Sequence, residues 1–214
     1  MSLIKLLETT GETKIGVWKM EEEDAFFSEK LILNAYDTEV LNKRSHPIKK
    51  KEWLASRFLL KSLLNYKKQL ILKANGNGRP FLENHKAEVS LSHSHEMVAA
   101  ICSYVYKVSI DIEKIQPKIL NITKKFCSDD EKEMVKNMDE VLFYTIIWSV
   151  KETAFKLYDD YHLAFKENIQ ITALIFKGDK GHCIVEINKS GFYKKLKVPV
   201  YLIRENYILS YSTL

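Results

Sequence analysis

Three features of the 214-residue chain predict an α+β fold. Apolar runs of strand length alternate with segments of helical spacing, the order strand, helices, strands occurs twice, and no low-complexity linker cuts the chain. In the first half, Ile15–Trp18 forms an apolar strand and helical patterns follow to about Tyr66. The best of them runs from Trp53 to Leu64, with apolar residues on one helical face. Gln69–Lys73 is strand-like, Asn75-Gly76-Asn77-Gly78 is a turn, and Glu88–Ser92 with Met97–Tyr104 forms a strand pair. The second half opens with a strand at Val108–Glu113 and continues with helices from about Lys118 to Tyr158. It closes with strands at Ile169–Phe176, His182–Ile187, Leu196–Ile203 and Tyr207–Tyr211. Two α+β halves, 1–106 and 107–214, are therefore expected, with a break near residue 106 of the kind where ligands often bind.

The composition is 46% hydrophobic and 29% charged, which excludes a disordered chain. The uncharged run Val141–Val150 is too short to span a bilayer, and Lys5 interrupts the apolar start, so neither a membrane span nor a signal peptide is expected. Cys102, Cys127 and Cys183 are widely separated, without a CxxC, as suits a reducing cytoplasm. Net charge is +5, and the excess is concentrated. Between Lys43 and Lys73 the basic residues are Lys43, Arg44, Lys49, Lys50, Lys51, Arg57, Lys61, Lys67, Lys68 and Lys73, against Glu52 as the single acid. Such a stripe serves either as a solvated helix face or as a surface for an anionic partner.

Four segments carry residues capable of chemistry. In Ser109-Ile110-Asp111-Ile112-Glu113, strand alternation puts Asp111 and Glu113 on one face, roughly 7 Å apart, where they form either a solvated edge or a seat for a hard cation. In Trp148-Ser149-Val150-Lys151-Glu152-Thr153-Ala154-Phe155-Lys156, Trp148, Glu152 and Lys156 follow one another at helical spacing. Glu152 and Lys156 have the spacing of an ordinary surface pair. The preceding uncharged run instead directs the segment inward, where charges need partners. Ser90-Leu91-Ser92-His93-Ser94-His95 offers hydroxyls and imidazoles at a strand end. A zinc site there lacks a third ligand nearby, and a hydrolase lacks the GxSxG elbow. Gly76-Asn77-Gly78-Arg79-Pro80-Phe81 is neither a P-loop nor a dinucleotide fingerprint; it is a turn that delivers one arginine.

In order, GRPFL, SLSHS, SIDIE, FCSDDE and WSVKETAFK resemble the 4'-phosphopantetheinyl transferase superfamily, in particular the single-chain type that activates surfactin synthetase. The resemblance spans about Arg44 to Lys156. It implies two pseudo-symmetric α+β halves, each a small, mainly antiparallel sheet with packed helices, and an active site in the cleft between them. The implied reaction moves the phosphopantetheine arm of coenzyme A to a serine of an apo acyl or peptidyl carrier protein and releases adenosine 3',5'-bisphosphate. By motif position, Asp111, Glu113 and Glu152 would hold Mg²⁺, Glu152 would take the serine proton, and Lys156 would stabilise the phosphate charge. Arg79, Ser92 and His93 would contact coenzyme A, with His93 near its 3'-phosphate. Arg44 and one or more of Lys49, Lys50 and Lys51, Lys51 in particular, would grip the same end. Trp148 and Lys151 would support the site.

Two positions depart from the family. Ser109 stands where Gly is usual and adds bulk, and Arg79 stands where Lys is usual and keeps the charge. A nucleic-acid module on the basic stripe would need aromatics free to stack, but Trp53 and Phe58 belong to the apolar pattern. A coenzyme A or carrier-protein binder without catalysis is the other alternative, and the intact Asp111, Glu113, Glu152 and Lys156 set argues against it. A cytoplasmic monomer is expected, with no nucleic-acid or membrane partner.

Overall fold

The computed structural model describes residues 3–9, 12–135, 138–159, 162–189 and 191–214. Met1, Ser2, Thr10 and Gly11 of the N-terminal stretch, and Lys136 and Asn137 of the expected helical region, lie outside them. The fold is α+β, and the chain divides into two compact units, Met1–Val108 and Ser109–Leu214.

Unit 1 begins with β1 (Leu3–Thr9) and β2 (Thr13–Lys19), followed by α1 (Asp24–Lys30), α2 (Ala35–Asn42) and α3 (Pro47–Leu63). The hairpin β3 (Leu72–Ala74) and β4 (Pro80–Leu82) leads to β5 (Glu88–Ser94) and β6 (Met97–Ser103). The antiparallel order is β1-β2-β6-β5. Strand β1 is absent from the sequence-level expectation because it pairs through its backbone at the sheet edge with its apolar residues only partly covered, so its period is weak. The turn expected at Asn75–Gly78 closes the β3–β4 hairpin. Asn75 Oδ1 accepts from the amides of Asn77 and Arg79, both at 2.9 Å, and Gly78 takes φ 75°.

Helix α3 starts at Pro47, whose missing N–H and fixed φ suit a first helical position. Its buried residues are the run 52–56 followed by 59, 60 and 63, and among them 52, 56, 59, 60 and 63 repeat at helical spacing and turn one face to the sheet. That face approaches β2 where the sheet offers no side chain. A Cβ on Gly16 would lie 2.9 Å from Leu59 Cδ1 and 3.1 Å from Leu63 Cδ2. Gly16→Val is therefore expected to lower stability by about 1–3 kcal/mol through overpacking, read as a shifted urea midpoint at constant slope.

Unit 2 carries a sheet of order β7-β11-β10-β9-β8. Its strands are β7 (Val108–Lys114), which starts at the last residue of unit 1, β8 (Ile169–Lys177), β9 (Lys180–Lys189), β10 (Phe192–Ile203) and β11 (Tyr207–Thr213). Between β7 and β8 the chain forms a 3₁₀ turn at Pro117–Ile122, single-turn helices α4 (Thr123–Phe126) and α5 (Asp129–Lys132), the long α6 (Glu140–Tyr158) and α7 (Phe165–Asn168). The expected helical stretch is thus broken after Phe126. There Ser128 caps α5 through a capping box, accepting from Glu131 N while Glu131 accepts from Ser128 N.

Asp139 caps α6 by accepting from Leu142 N at 2.9 Å, and Asp159 ends it in the left-handed region. Phe143, Ile146, Ile147, Val150, Ala154 and Leu157 bury one face of α6 among the sheet residues Ile169, Val185, Val198 and Ile208. Ser149 and Thr153 tie it to Ser210 of β11 at 2.9 and 2.6 Å. All three cysteines are buried thiols without a disulfide. Among the described residues no helix is long and apolar enough to cross a membrane.

Candidate active site

The chemistry-bearing side chains of unit 2 come from two rigid elements, β7 and α6. Alternation along β7 buries Ile110 and Ile112 on one face and directs Asp111 and Glu113 toward α6. From α6, residues four apart meet them in turn. Trp148 Nε1 donates to Glu113 Oε1 at 3.0 Å, and Lys156 Nζ donates to Asp111 Oδ1 at 2.7 Å. Glu152 lies on the same stripe between Trp148 and Lys156.

Asp111 is only 2% exposed and the Lys156 side chain 26% exposed, so the pair is buried at its carboxylate end and reaches solvent at the lysine. Burial pushes the Lys156 ammonium down, but Asp111 and Glu152 more than offset this and hold it above its ordinary value. Burial raises the Glu152 carboxyl to about 7; Lys156 opposes the rise, and the negative charges of Asp111 and Glu113 add to it. The structure therefore brings together Asp111, Glu113, Glu152 and Lys156. Three carboxylates crowd one basic group, and one of them is poised to exchange a proton near neutral pH. Among the described residues no group of three or more His, Cys, Asp or Glu side chains stands at metal-binding geometry. In this arrangement the Lys156 ammonium is the counter-charge of Asp111.

Lys151, one turn beyond Trp148, is fully buried and directs its ammonium to Glu131 and not to the carboxylates of β7. Its Nζ donates to Glu131 Oε2 at 2.8 Å, Phe126 O at 2.7 Å and Phe165 O at 3.0 Å, which uses all three of its protons. Burial lowers its pKa, and Glu131 opposes the shift. Glu131 accepts in addition from the amides of Ser128 and Ile171, both at 2.8 Å. The pair joins α6 to the start of β8 and to the segment before α5, a supporting role and not a chemical one.

Unit 1 contains a pocket of about 430 Å³ lined by Arg44, Lys49, Glu52, Trp53, Arg57 and His93, among others. Glu52, 4% exposed, sits at its base with Lys49 Nζ at 2.8 Å and His93 Nδ1 at 3.5 Å from its Oε2. The Arg57 guanidinium lies 3.7 Å from the centre of the Trp53 ring and that of Arg44 5.8 Å from it. Of the predicted coenzyme A contacts, the structure gathers Arg44 and His93 here, together with Lys49. Lys51 lies in a different pocket, with Met20, Pro47 and Glu96. Ser92 is buried on the face of β5 opposite to His93. The Arg79 guanidinium donates to Glu88 Oε2 at 3.0 Å and Val108 O at 3.1 Å. Ser109, at the family's usual glycine, is fully buried.

Three residues of consequence were not singled out from the sequence. Glu131 was legible as the fourth residue of Ser128-Asp129-Asp130-Glu131, a capping-box signature. Glu52 was visible as the one acid among ten bases, but nothing in the sequence said that it was buried. Arg57 was counted within the stripe and looked like any of its neighbours.

The class to which this site points is met in the C-terminal half of the chain. Residues 107–211, from β7 through β11, match the sequence model of the 4'-phosphopantetheinyl transferase superfamily. The chain is also 32% identical over 93 residues to the 4'-phosphopantetheinyl transferase psf-1 of Bacillus pumilus. That alignment covers 42% of this chain and 40% of the relative, so the chain matches less than half of that protein's length.

Proposed function

We propose that this protein is a 4'-phosphopantetheinyl transferase of the single-chain type that activates surfactin synthetase. It would move the phosphopantetheine arm of coenzyme A to a serine of an apo acyl or peptidyl carrier protein. The observation that carries the reading is the set of Asp111, Glu113, Glu152 and Lys156 held jointly by β7 and α6, inside the region that matches the family.

The donor set fits Mg²⁺. Its ligands are all hard oxygens, and the repulsion that helps raise Glu152 is what a divalent cation relieves. Asp111, Glu113 and Glu152 would hold the ion, which supplies neutralisation of the pyrophosphate charge. The remaining work falls to the chain's own groups. The serine hydroxyl attacks the phosphorus that bears the pantetheine, its proton passes to Glu152, and the bond from that phosphorus to the bridging oxygen breaks. The electron pair leaves with adenosine 3',5'-bisphosphate, whose charge Lys156 stabilises. The low exposure of Asp111 keeps the Lys156 ammonium oriented for this role.

On this reading residues 1–106 supply contacts to the nucleotide end of coenzyme A, and residues 107–214 supply the metal-binding carboxylates. Arg44, Lys49 and His93 already share a pocket. Arg79 contacts the ligand by exchanging Glu88 for a phosphate, and Ser92 and Lys51 are its outlying members. The protein would act in the cytoplasm as a monomer, and its basic surface would draw an acidic carrier protein.

Intact-mass measurement of apo carrier proteins incubated with this protein, coenzyme A and Mg²⁺ tests the proposal. The expected result is a gain of one phosphopantetheine arm that disappears with EDTA. No gain on carriers from fatty acid, polyketide and peptide synthesis would overturn the enzymatic reading in favour of binding alone.

A further inference from the structure

The indole of Trp148 is held from two sides. Phe126 meets it edge to face, with ring centres 5.1 Å apart, and Phe165 stacks on it at 5.4 Å with 20° between the planes. Such arrangements fix the orientation of a ring as well as its depth. Phe126 ends α4 within the FCSDDE segment, whereas Phe165 opens α7 and belongs to none of the segments that carry the family resemblance. Phe165 also packs on Phe155, ring centres 5.1 Å apart, and so spans two turns of α6. Its backbone is anchored as well as its ring. Lys151 Nζ donates to the carbonyls of Phe126 and Phe165 together, at 2.7 and 3.0 Å. Asn168, at the other end of α7, accepts from Ala164 N and donates to Asn188 O of β9, both at 2.9 Å. One buried ammonium therefore sets the distance between the two residues that grip the indole.

What leaves this grip is a single N–H. An indole has no other hydrogen-bonding group, so its tilt alone decides whether it reaches a partner. Trp148 Nε1 reaches Glu113 Oε1 at 3.0 Å. We infer that Phe165 is a positioning residue for Glu113: by holding Trp148 against Phe126 it aims the indole N–H that orients this carboxylate. A glutamate side chain otherwise keeps much rotamer freedom, and partners of this kind are worth about tenfold or more in the affinity of a metal-binding carboxylate. The inference rests on the transferase reading only for what Glu113 does once it is oriented.

The experiment follows exchange of the indole N–H protons with water in the whole chain, by ¹⁵N-edited NMR. The chain has 3 tryptophans, and Trp148→Phe identifies the signal of interest. Glu113→Ala sets the exchange rate of that N–H when its acceptor is gone. Phe165→Leu, which keeps apolar volume without a ring, should speed exchange about fivefold, toward the Glu113→Ala rate. Combining the two substitutions should add nothing further, and Phe165→Tyr should keep the wild-type rate. The Mg²⁺ concentration for half-maximal transfer should rise about three- to tenfold in Phe165→Leu, with the maximal rate unchanged. Wild-type exchange in Phe165→Leu overturns the positioning role. An additive effect in the double variant overturns it too, because the ring then only shields the indole from water. If Phe165→Leu loses its signal dispersion, Phe165→Met carries the same comparison. A wild type that transfers to no carrier overturns the transferase reading, while the exchange cycle still decides whether Phe165 orients Glu113.

Discussion

Glu152→Gln should reduce transfer to a carrier protein by roughly 10³-fold or more while leaving the fold intact. The substitution is nearly isosteric, and Glu152 is not a member of the apolar cluster that packs α6 on its sheet, so that core keeps its contacts. What disappears is a proton acceptor whose carboxyl is raised to about 7 by burial, against Lys156, with the charges of Asp111 and Glu113 adding to the rise. An amide cannot accept the serine proton, and it is a poorer ligand for a hard cation. The check is a single-turnover rate beside a thermal melt. A variant that melts with the wild type and transfers at the wild-type rate, with the same response to EDTA, would remove Glu152 from the chemistry.

The second large effect concerns stability. Lys151→Met should destabilise the protein by about 3–5 kcal/mol, because Glu131 is then left charged in an interior from which water is excluded. Adding Glu131→Gln should recover part of the loss, since the neutral amide no longer needs a counter-charge. The recovery will be incomplete, because Glu131 also accepts from the amides of Ser128 and Ile171. Urea unfolding of the two single variants and the double variant gives the coupling directly. A Lys151→Met protein as stable as the wild type would show that the pair contributes nothing net.

How far the sequence reached depends on the kind of signal. Strands β7 and β8–β11 were legible because their apolar residues repeat with a clear period and a buried face reinforces it. Strand β1 was not, because an edge strand is held by backbone hydrogen bonds that leave little trace in side-chain order. In the site, the grouping of Asp111 with Glu113 and of Trp148, Glu152 and Lys156 follows from two periodicities, two for a strand and about 3.6 for a helix. That these two sets would face each other is tertiary information, and the motif resemblance anticipated it where periodicity could not. The basic stripe shows the opposite case. Its charges are alike in sequence, and only packing separates Lys49, neutralised by Glu52, from Arg57, stacked on Trp53. The distinction depends on depth, which a charge count does not contain.

Helix α6 has one consequence for motion. One stripe carries Trp148, Glu152 and Lys156 toward β7, and another is the centre of the unit 2 core. Amide protons along such a segment exchange with solvent mainly through opening of the whole cooperative unit, because no smaller opening frees them. The spacing between the carboxylates and the lysine is therefore as durable as unit 2 itself. Thermal fluctuation has no inexpensive route to loosening this set, and any local mobility that an exchanging partner requires has to come from segments other than α6.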